Sequence, residues 1–195
     1  MKKVLLTGFA PFGGENVNPS WLAVSQLPDI PGLQIVKREL PVSFYGAAKQ
    51  LAGLMDEIQP DYVVSVGQAA GRKAVTPELV AINLMSGTDA DGVSMEDAKI
   101  AIGGENALFS TLPVNEMVEA AKQAGVPAQR SLSAGAYVCN CVMYTALCYA
   151  KLRKIPAKCG FIHVPMIPEQ TQEKPIPSLP LEEITKALEA MLACL

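Results

Sequence analysis

The chain alternates short apolar runs with segments in which apolar residues recur every three or four positions. Runs rich in β-branched residues favour strands, and the longer period favours amphipathic helices. Strands are predicted at Val4–Thr7, Gln34–Leu40, Tyr62–Val66 and Gly160–Val164. Helices are predicted at Tyr45–Ile58, Val114–Gly125, Tyr137–Lys154 and Leu181–Leu195. This alternation predicts an α/β fold, with a mostly parallel (mixed), twisted sheet that carries helices on both faces.

Two segments depart from this pattern. Met85–Asn106 is rich in Gly and Asp and has no clear period, so we expect a long loop there. Ser131–Ala150 carries no charge over 20 residues, which is the length of a membrane-spanning helix. Its serines, asparagine and threonine make it a poor span, and a helix buried inside the protein fits better. With no internal repeat or linker, residues 1–195 are expected to form one domain.

Composition narrows the function classes. The chain has 195 residues, of which 18% are charged, and its formal net charge is -3. So low a fraction of charged residues predicts either a core that is covered on both sides or a subunit that buries part of its surface in an oligomer. No basic cluster is present, which argues against nucleic acid as a partner.

The counts of histidine and cysteine exclude further classes. With a single His, a metal site built from two or more imidazoles is excluded. The five Cys are odd in number, and four lie between Cys139 and Cys159, which is unlike a secreted disulfide framework. A reduced, cytoplasmic protein is expected. Gly8 and Pro11 break the first apolar run too early for a signal peptide.

His163 and Cys139 are the candidate reactive pair. His163 ends a predicted strand, and ligand sites of open α/β sheets gather at that edge. Cys139 lies in or just before the first turn of a predicted helix, where free N–H groups stabilise a thiolate, lower its pKa and can hold an oxyanion. The alternatives are a buried His satisfied by a carbonyl and a Cys that acts as a small hydrophobe.

Two more residues bear on this pair. Cys141 competes as nucleophile, but two positions along a helix rotate a side chain by about 200°, so only one of the two thiols can face a site. A Cys–His pair needs a polar group that holds the imidazole tautomer. Glu78, which leads into an apolar run, is the candidate; a solvated Glu at a strand entrance is equally compatible with the spacing.

Glycine-rich turns follow two predicted strands. Neither Gly8–Gly14 nor Gly67–Arg72 has the spacing of a nucleotide-phosphate loop. The first turn carries Phe9 and Phe12, which are placed to wall a small apolar pocket. The alternative is that both rings only fill the core.

Long motifs along almost the whole chain carry a family resemblance. They are Gly8-Phe9-x-Pro11-Phe12-Gly13-Gly14 with Asn18-Pro19-Ser20, Gly67-Gln68-Ala69-x-Gly71-Arg72, Pro77-Glu78-x-Val80-Ala81-Ile82-Asn83, Phe109-Ser110-Thr111-Leu112-Pro113, Ser133-Ala134-Gly135-x-Tyr137-Val138-Cys139-Asn140 and Gly160-Phe161-x-His163-x-Pro165. With these motifs the chain resembles the pyroglutamyl peptidase I (pyrrolidone carboxyl peptidase) family, cysteine peptidases that remove N-terminal pyroglutamate from peptides.

The resemblance implies a fold, a reaction and a set of site residues. The fold is a three-layer α/β/α sandwich like that of purine nucleoside phosphorylases, with no cofactor and, in many microbial members, a homotetramer. The reaction is acyl transfer to water, with Cys139 as nucleophile, His163 as base and Glu78 as its orienter. The implied substrate contacts are Phe9 and Phe12 around the pyrrolidone ring, Gln68 and the Val138 backbone at its polar edge, and Asn18 and Arg72.

Three departures from the family pattern leave this triad intact. Cys141 stands where the family usually has His, Leu79 replaces a basic residue, and the loop from Leu84 to Asn106 lacks the usual Asp-Asn-Glu-Gly character. Two other functions stay open. One is a nucleoside phosphorylase-like enzyme on the related fold, which predicts phosphate-dependent activity. The other is a non-catalytic binding protein in which Cys139 and His163 are structural.

Overall fold

The computed structural model describes residues 1–172 and 175–195. Its strands are β1 (Lys2–Phe9), β2 (Leu33–Leu40), β3 (Tyr62–Gln68), β4 (Thr76–Pro77), β5 (Val80–Ile82), β6 (Met85–Thr88), β7 (Ser94–Ala98), β8 (Ala107–Phe109) and β9 (Lys158–Val164). Its helices are α1 (Pro19–Gln26), α2 (Phe44–Ile58), α3 (Val114–Gln123), α4 (Val138–Arg153) and α5 (Leu181–Leu192), with a short 3₁₀ turn at Pro168–Gln170.

A five-stranded sheet forms the middle layer, in the order β2-β1-β3-β9-β4. The first four strands are parallel, and β4 pairs antiparallel with β9. Alternate residues of β1 show why both faces are covered, since Val4 and Leu6 point to one apolar layer and Leu5 to the other, all three fully buried. Helices α1, α3 and α5 cover the first face, and α2 and α4 cover the second. The predicted α/β sandwich is therefore confirmed.

The predicted elements occur, with small shifts at their ends. Ser43 starts α2 one residue early, because its hydroxyl accepts a hydrogen bond from Gly46 N at 3.1 Å. The uncharged helix begins only at Val138, and most of its residues are buried against the sheet. No helix in residues 1–172 and 175–195 has both the length and the apolar character needed to cross a membrane.

The expectation of a plain loop over Met85–Asn106 was wrong. Strands β6 and β7 form a hairpin there, and β5 pairs with β8. The buried Asp89 shapes the hairpin turn, since its carboxylate accepts hydrogen bonds from the backbone of Asp91, Val93 and Phe44 at 2.9–3.0 Å. Both hairpin strands are largely exposed, so they lack the apolar alternation that marks a strand in sequence.

Helix α1 was also missed by the sequence reasoning. It has only eight residues, too few to show a clear period. Asn18 caps it by accepting a hydrogen bond from Ser20 N at 3.1 Å, and Pro19 occupies its first turn. The Ser20 hydroxyl in turn accepts from Phe9 N at 3.0 Å, which ties the start of α1 to the end of β1.

Candidate active site

Three neighbouring parallel strands bring candidate residues to one edge of the sheet. Phe9 ends β1, Gln68 ends β3 and His163 is the penultimate residue of β9. Because these strands are adjacent and parallel, their carboxyl ends meet at the same edge, where open α/β sheets bind ligands.

The short strand β4 delivers Glu78 to the histidine. Thr76 pairs with His163 in the antiparallel register, and Glu78 N donates to Phe161 O at 2.9 Å. Glu78 has no exposed surface, and its Oε1 lies 2.7 Å from His163 Nδ1. This bond places the imidazole N–H on Nδ1 and leaves Nε2 as the acceptor. The alternative of a solvated Glu78 is therefore wrong.

Arg72 shares the same carboxylate oxygen. Its Nη1 lies 2.7 Å from Glu78 Oε1 and also donates to the Thr76 hydroxyl, while Nη2 donates to Ser133 O at 3.2 Å. Glu78 Oε2 is buried and has no hydrogen-bond partner in the described part of the chain. The buried carboxylate thus has both of its side-chain partners, Arg72 and His163, on one oxygen.

Cys139 lies in the first turn of α4 and approaches the sheet at Gly67. A Cβ atom added to Gly67 would lie 2.9 Å from Cys139 Sγ and 2.7 Å from Phe161 Cζ. Gly67 is the β3 residue paired with His163 of the neighbouring strand. The absence of a side chain at Gly67 therefore lets the thiol sit against the sheet beside the strand position of His163.

Burial sets the protonation of the thiol and the imidazole. Desolvation, with the Glu78 charge adding to it, raises the pKa of Cys139 to about 12, although Arg72 and a backbone hydrogen bond act the other way. Burial also lowers the pKa of His163, and the Glu78 carboxylate opposes that shift only in part. Both shifts favour the neutral thiol and the neutral imidazole, which is opposite in direction to the lowered thiol pKa expected at a helix terminus.

A small pocket opens beside the thiol of Cys139. Phe9 is 2% exposed and also belongs to the core, so it fills the core and walls the pocket at once. Asn18 donates to Ala10 O at 3.0 Å while it caps α1. The lining residues are Phe9, Phe12, Asn18, Val42, Gln68, Tyr137, Val138 and Cys139.

Arg72 is the one predicted substrate contact that does not line this pocket. Conversely, the sequence reasoning missed Val42 and Tyr137. The Tyr137 ring packs edge-on against Phe44 at 5.5 Å between centroids, and its hydroxyl donates to Thr88 O at 3.0 Å. Its position two residues before Cys139 was an available signal, whereas nothing in the sequence marks Val42.

Cys141 lies away from this pocket, as the helical rotation predicts. It is 2% exposed, and its Sγ lies 3.6 Å from Phe44 O and 3.7 Å from Met85 Sδ. Burial raises its pKa to about 11. Within residues 1–172 and 175–195, no three His, Cys, Asp or Glu side chains are grouped so as to hold a metal ion.

The fold and this site define a class, the α/β proteins in which a cysteine and a hydrogen-bonded histidine–carboxylate pair are placed at the carboxyl edge of the central sheet. The sequence profile of the pyroglutamyl peptidase family matches residues 2–195, so the chain belongs to that family. The pyrrolidone-carboxylate peptidase of Thermococcus onnurineus is 49% identical over 193 residues, which cover 97% of this chain and 96% of the relative. That of Lactobacillus acidophilus is 45% identical over 97% of this chain and 96% of its own length.

Solved structures give the same result. The crystal structure of Bacillus amyloliquefaciens pyroglutamyl peptidase I superposes with a TM-score of 0.95 at 44% identity, covering 99% of this chain and 96% of that one. The pyrrolidone carboxyl peptidase of Thermococcus litoralis gives 0.93 at 37% identity, covering 100% and 93%. The likeness therefore spans the whole sandwich, including the edge that carries the pocket.

Proposed function

We propose that this protein hydrolyses the bond that follows an N-terminal pyroglutamyl residue in peptides. Its nucleophile is Cys139, its general base and acid is His163, and Glu78 orients His163. The observation that carries this proposal is the 2.7 Å bond between His163 Nδ1 and the buried Glu78, at the sheet edge where the Cys139 thiol lines a small pocket. Family membership supports the same reaction and the same class of substrate.

The first step generates the nucleophile. Because both groups are neutral at rest, the proton of Cys139 passes to His163 Nε2 as the sulfur attacks the pyroglutamyl carbonyl carbon. Glu78 accepts the Nδ1–H and stabilises the imidazolium that forms, as the carboxylate does in such triads. Backbone N–H groups in the first turn of α4 hold the negative oxygen of the tetrahedral intermediate.

The second half returns the enzyme to its starting state. The imidazolium gives its proton to the departing amine, the C–N bond breaks, and the acyl group stays on Cys139. His163 then removes a proton from water, which attacks the thioester and releases pyroglutamate. Each proton taken by His163 is given back, to the amine in the first half and to the Cys139 sulfur in the second.

The pocket supports selection of the lactam. Its walls are mainly apolar, with Phe9, Phe12, Val42 and Val138 among them. A neutral five-membered lactam costs far less to remove from water than an N-terminal ammonium, which would be buried without a partner. Ordinary N-terminal residues are therefore expected to be rejected.

Substrate comparison tests this proposal. We expect release of a chromogenic amine from a pyroglutamyl amide, and at least ~10²-fold slower release from the prolyl and alanyl amides. Added inorganic phosphate should change neither rate. Equal turnover of prolyl amide, or activity only with phosphate, would contradict the proposal, and phosphate dependence would favour the phosphorylase-like alternative.

The proposal extends to cellular setting and assembly. All five cysteines are free, which supports a reducing compartment such as the cytoplasm. The family resemblance implies a homotetramer. Light scattering should give four times the chain mass of 20.7 kDa; the mass of one chain would exclude a tetramer.

A further inference from the structure

Gln170 has a carboxamide whose orientation is fixed by two backbone groups. It ends the 3₁₀ turn and is 7% exposed. Its Oε1 accepts from Ile167 N at 3.2 Å, and its Nε2 donates to Val17 O at 3.4 Å. A backbone N–H can only donate and a carbonyl can only accept, so these two partners determine which end of the amide is oxygen and which is nitrogen.

Gln170 in turn fixes the orientation of the side-chain amide of Gln68 in the pocket wall. Gln170 Nε2 also donates to Gln68 Oε1 at 3.2 Å. Because Gln170 can only present a donor there, Gln68 must present its oxygen in return. In the described part of the chain no acceptor takes a hydrogen bond from Gln68 Nε2, which leaves that N–H group for a ligand of the pocket.

We infer that Gln170 is a positioning residue that makes Gln68 a hydrogen-bond donor to the ring carbonyl of the substrate. This inference rests on the proposed function, since the lactam oxygen is what separates pyroglutamate from proline. A pocket whose donor would be left unpaired discriminates against a ring that lacks the oxygen. Gln170 itself touches no substrate and acts only through Gln68.

A double-mutant cycle tests the inference. In Gln170→Met the Gln68 amide is free to turn, so we expect KM for a pyroglutamyl amide to rise about tenfold, with a smaller change in kcat. Gln68→Met should raise KM at least as much. The double variant should be no worse than Gln68→Met alone, because Gln170 has no other route to the substrate. Gln123→Met, an exposed glutamine at the end of α3, is the matched control.

A pair of competitive inhibitors distinguishes a positioning role of Gln170 from a merely structural one. 2-Pyrrolidone and pyrrolidine-2-thione share the ring and its N–H, but sulfur is the weaker acceptor. We expect the wild type to bind 2-pyrrolidone more tightly than pyrrolidine-2-thione. In Gln170→Met the ratio of the two inhibition constants should move towards one. Should that variant fail to fold, Gln170→Glu applies the same test, because its carboxylate still accepts from Ile167 N but cannot donate to Gln68.

The outcomes separate this inference from the proposed function. Additive losses in the double variant, or an inhibitor preference unchanged in either Gln170 variant, would overturn the inference while the wild type still cleaves pyroglutamyl amides. A wild type that cleaves none of them would instead overturn the proposed function.

Discussion

Because Cys139 lies so close to Gly67, the effect of adding a single methyl group at Gly67 can be predicted. In Gly67→Ala the new Cβ would lie 2.9 Å from Cys139 Sγ, whereas ordinary contacts begin at 3.4 Å. The sulfur must therefore move by roughly 0.5 Å or more. Since a 1 Å misplacement of reacting groups costs about 10²-fold in rate, we expect kcat/KM to fall by about ten- to a hundredfold.

The same methyl group also strains the core. It would lie 2.7 Å from Phe161 Cζ, and Phe161 is 1% exposed, so its ring has little room to move. Overpacking of this kind lowers the free energy of unfolding by about 1–3 kcal/mol. The variant should therefore fold, but less stably and with a weakened active site.

Steady-state kinetics and urea unfolding measure the two effects. The matched control is Gly53→Ala, since nothing lies within 4 Å of a Cβ at that position in helix α2. It should leave kcat/KM unchanged and raise the free energy of unfolding by about 0.5–1 kcal/mol. Full activity in Gly67→Ala would refute the close approach of the thiol to β3.

Three further predictions follow from the same site. Glu78→Gln should lower kcat by about 10⁴-fold, because an amide in place of the carboxylate neither stabilises the imidazolium nor fixes the tautomer; a rise in KM with kcat unchanged would argue against the orienting role. Burial lowers the pKa of His163 in the folded state, so at a pH near the ordinary pKa of histidine the unfolded chain binds a proton that the folded chain does not. The free energy of unfolding should therefore fall as the pH drops below about 6.5. Urea titrations in which His163→Gln gives the same dependence of the free energy of unfolding on pH as the wild type would contradict this. With the pKa of Cys139 raised to about 12, the ultraviolet difference spectrum between wild type and Cys139→Ser should show no thiolate at neutral pH; a thiolate band there would mean that an ion pair forms at rest.

Local sequence patterns predicted the elements of the sandwich but not the contacts that assemble the site. The apolar runs of β1, β3 and β9 are strong signals, because strands buried on both faces must be apolar throughout. By contrast, β4 has two residues and exists through its pairing with β9, so no period in the sequence reveals it. It is nevertheless this strand that carries Glu78 to a histidine 85 positions away.

The electrostatics of the site were the least predictable part. Helix position suggested a lowered pKa for Cys139, but its neighbours in the fold remove most of its contact with water and place the Glu78 charge nearby, and these two effects raise the pKa instead. Arg72 was matched to the family as a substrate contact, and its pairing with Glu78 depends on a loop path that composition does not determine. Gln170 lies outside the quoted motifs, and only the fold brings it to Gln68.

The central claim is that Cys139 is the nucleophile, and the neighbouring thiol of Cys141 allows a direct test. Release of the chromogenic amine from a pyroglutamyl amide is measured for wild type, Cys139→Ala and Cys141→Ala, with circular dichroism to check that each variant folds. We expect no detectable turnover in Cys139→Ala and near wild-type kcat in Cys141→Ala, whose side chain packs against Phe44 and Met85 away from the pocket. Turnover in Cys139→Ala, or its loss in a folded Cys141→Ala, would contradict the account.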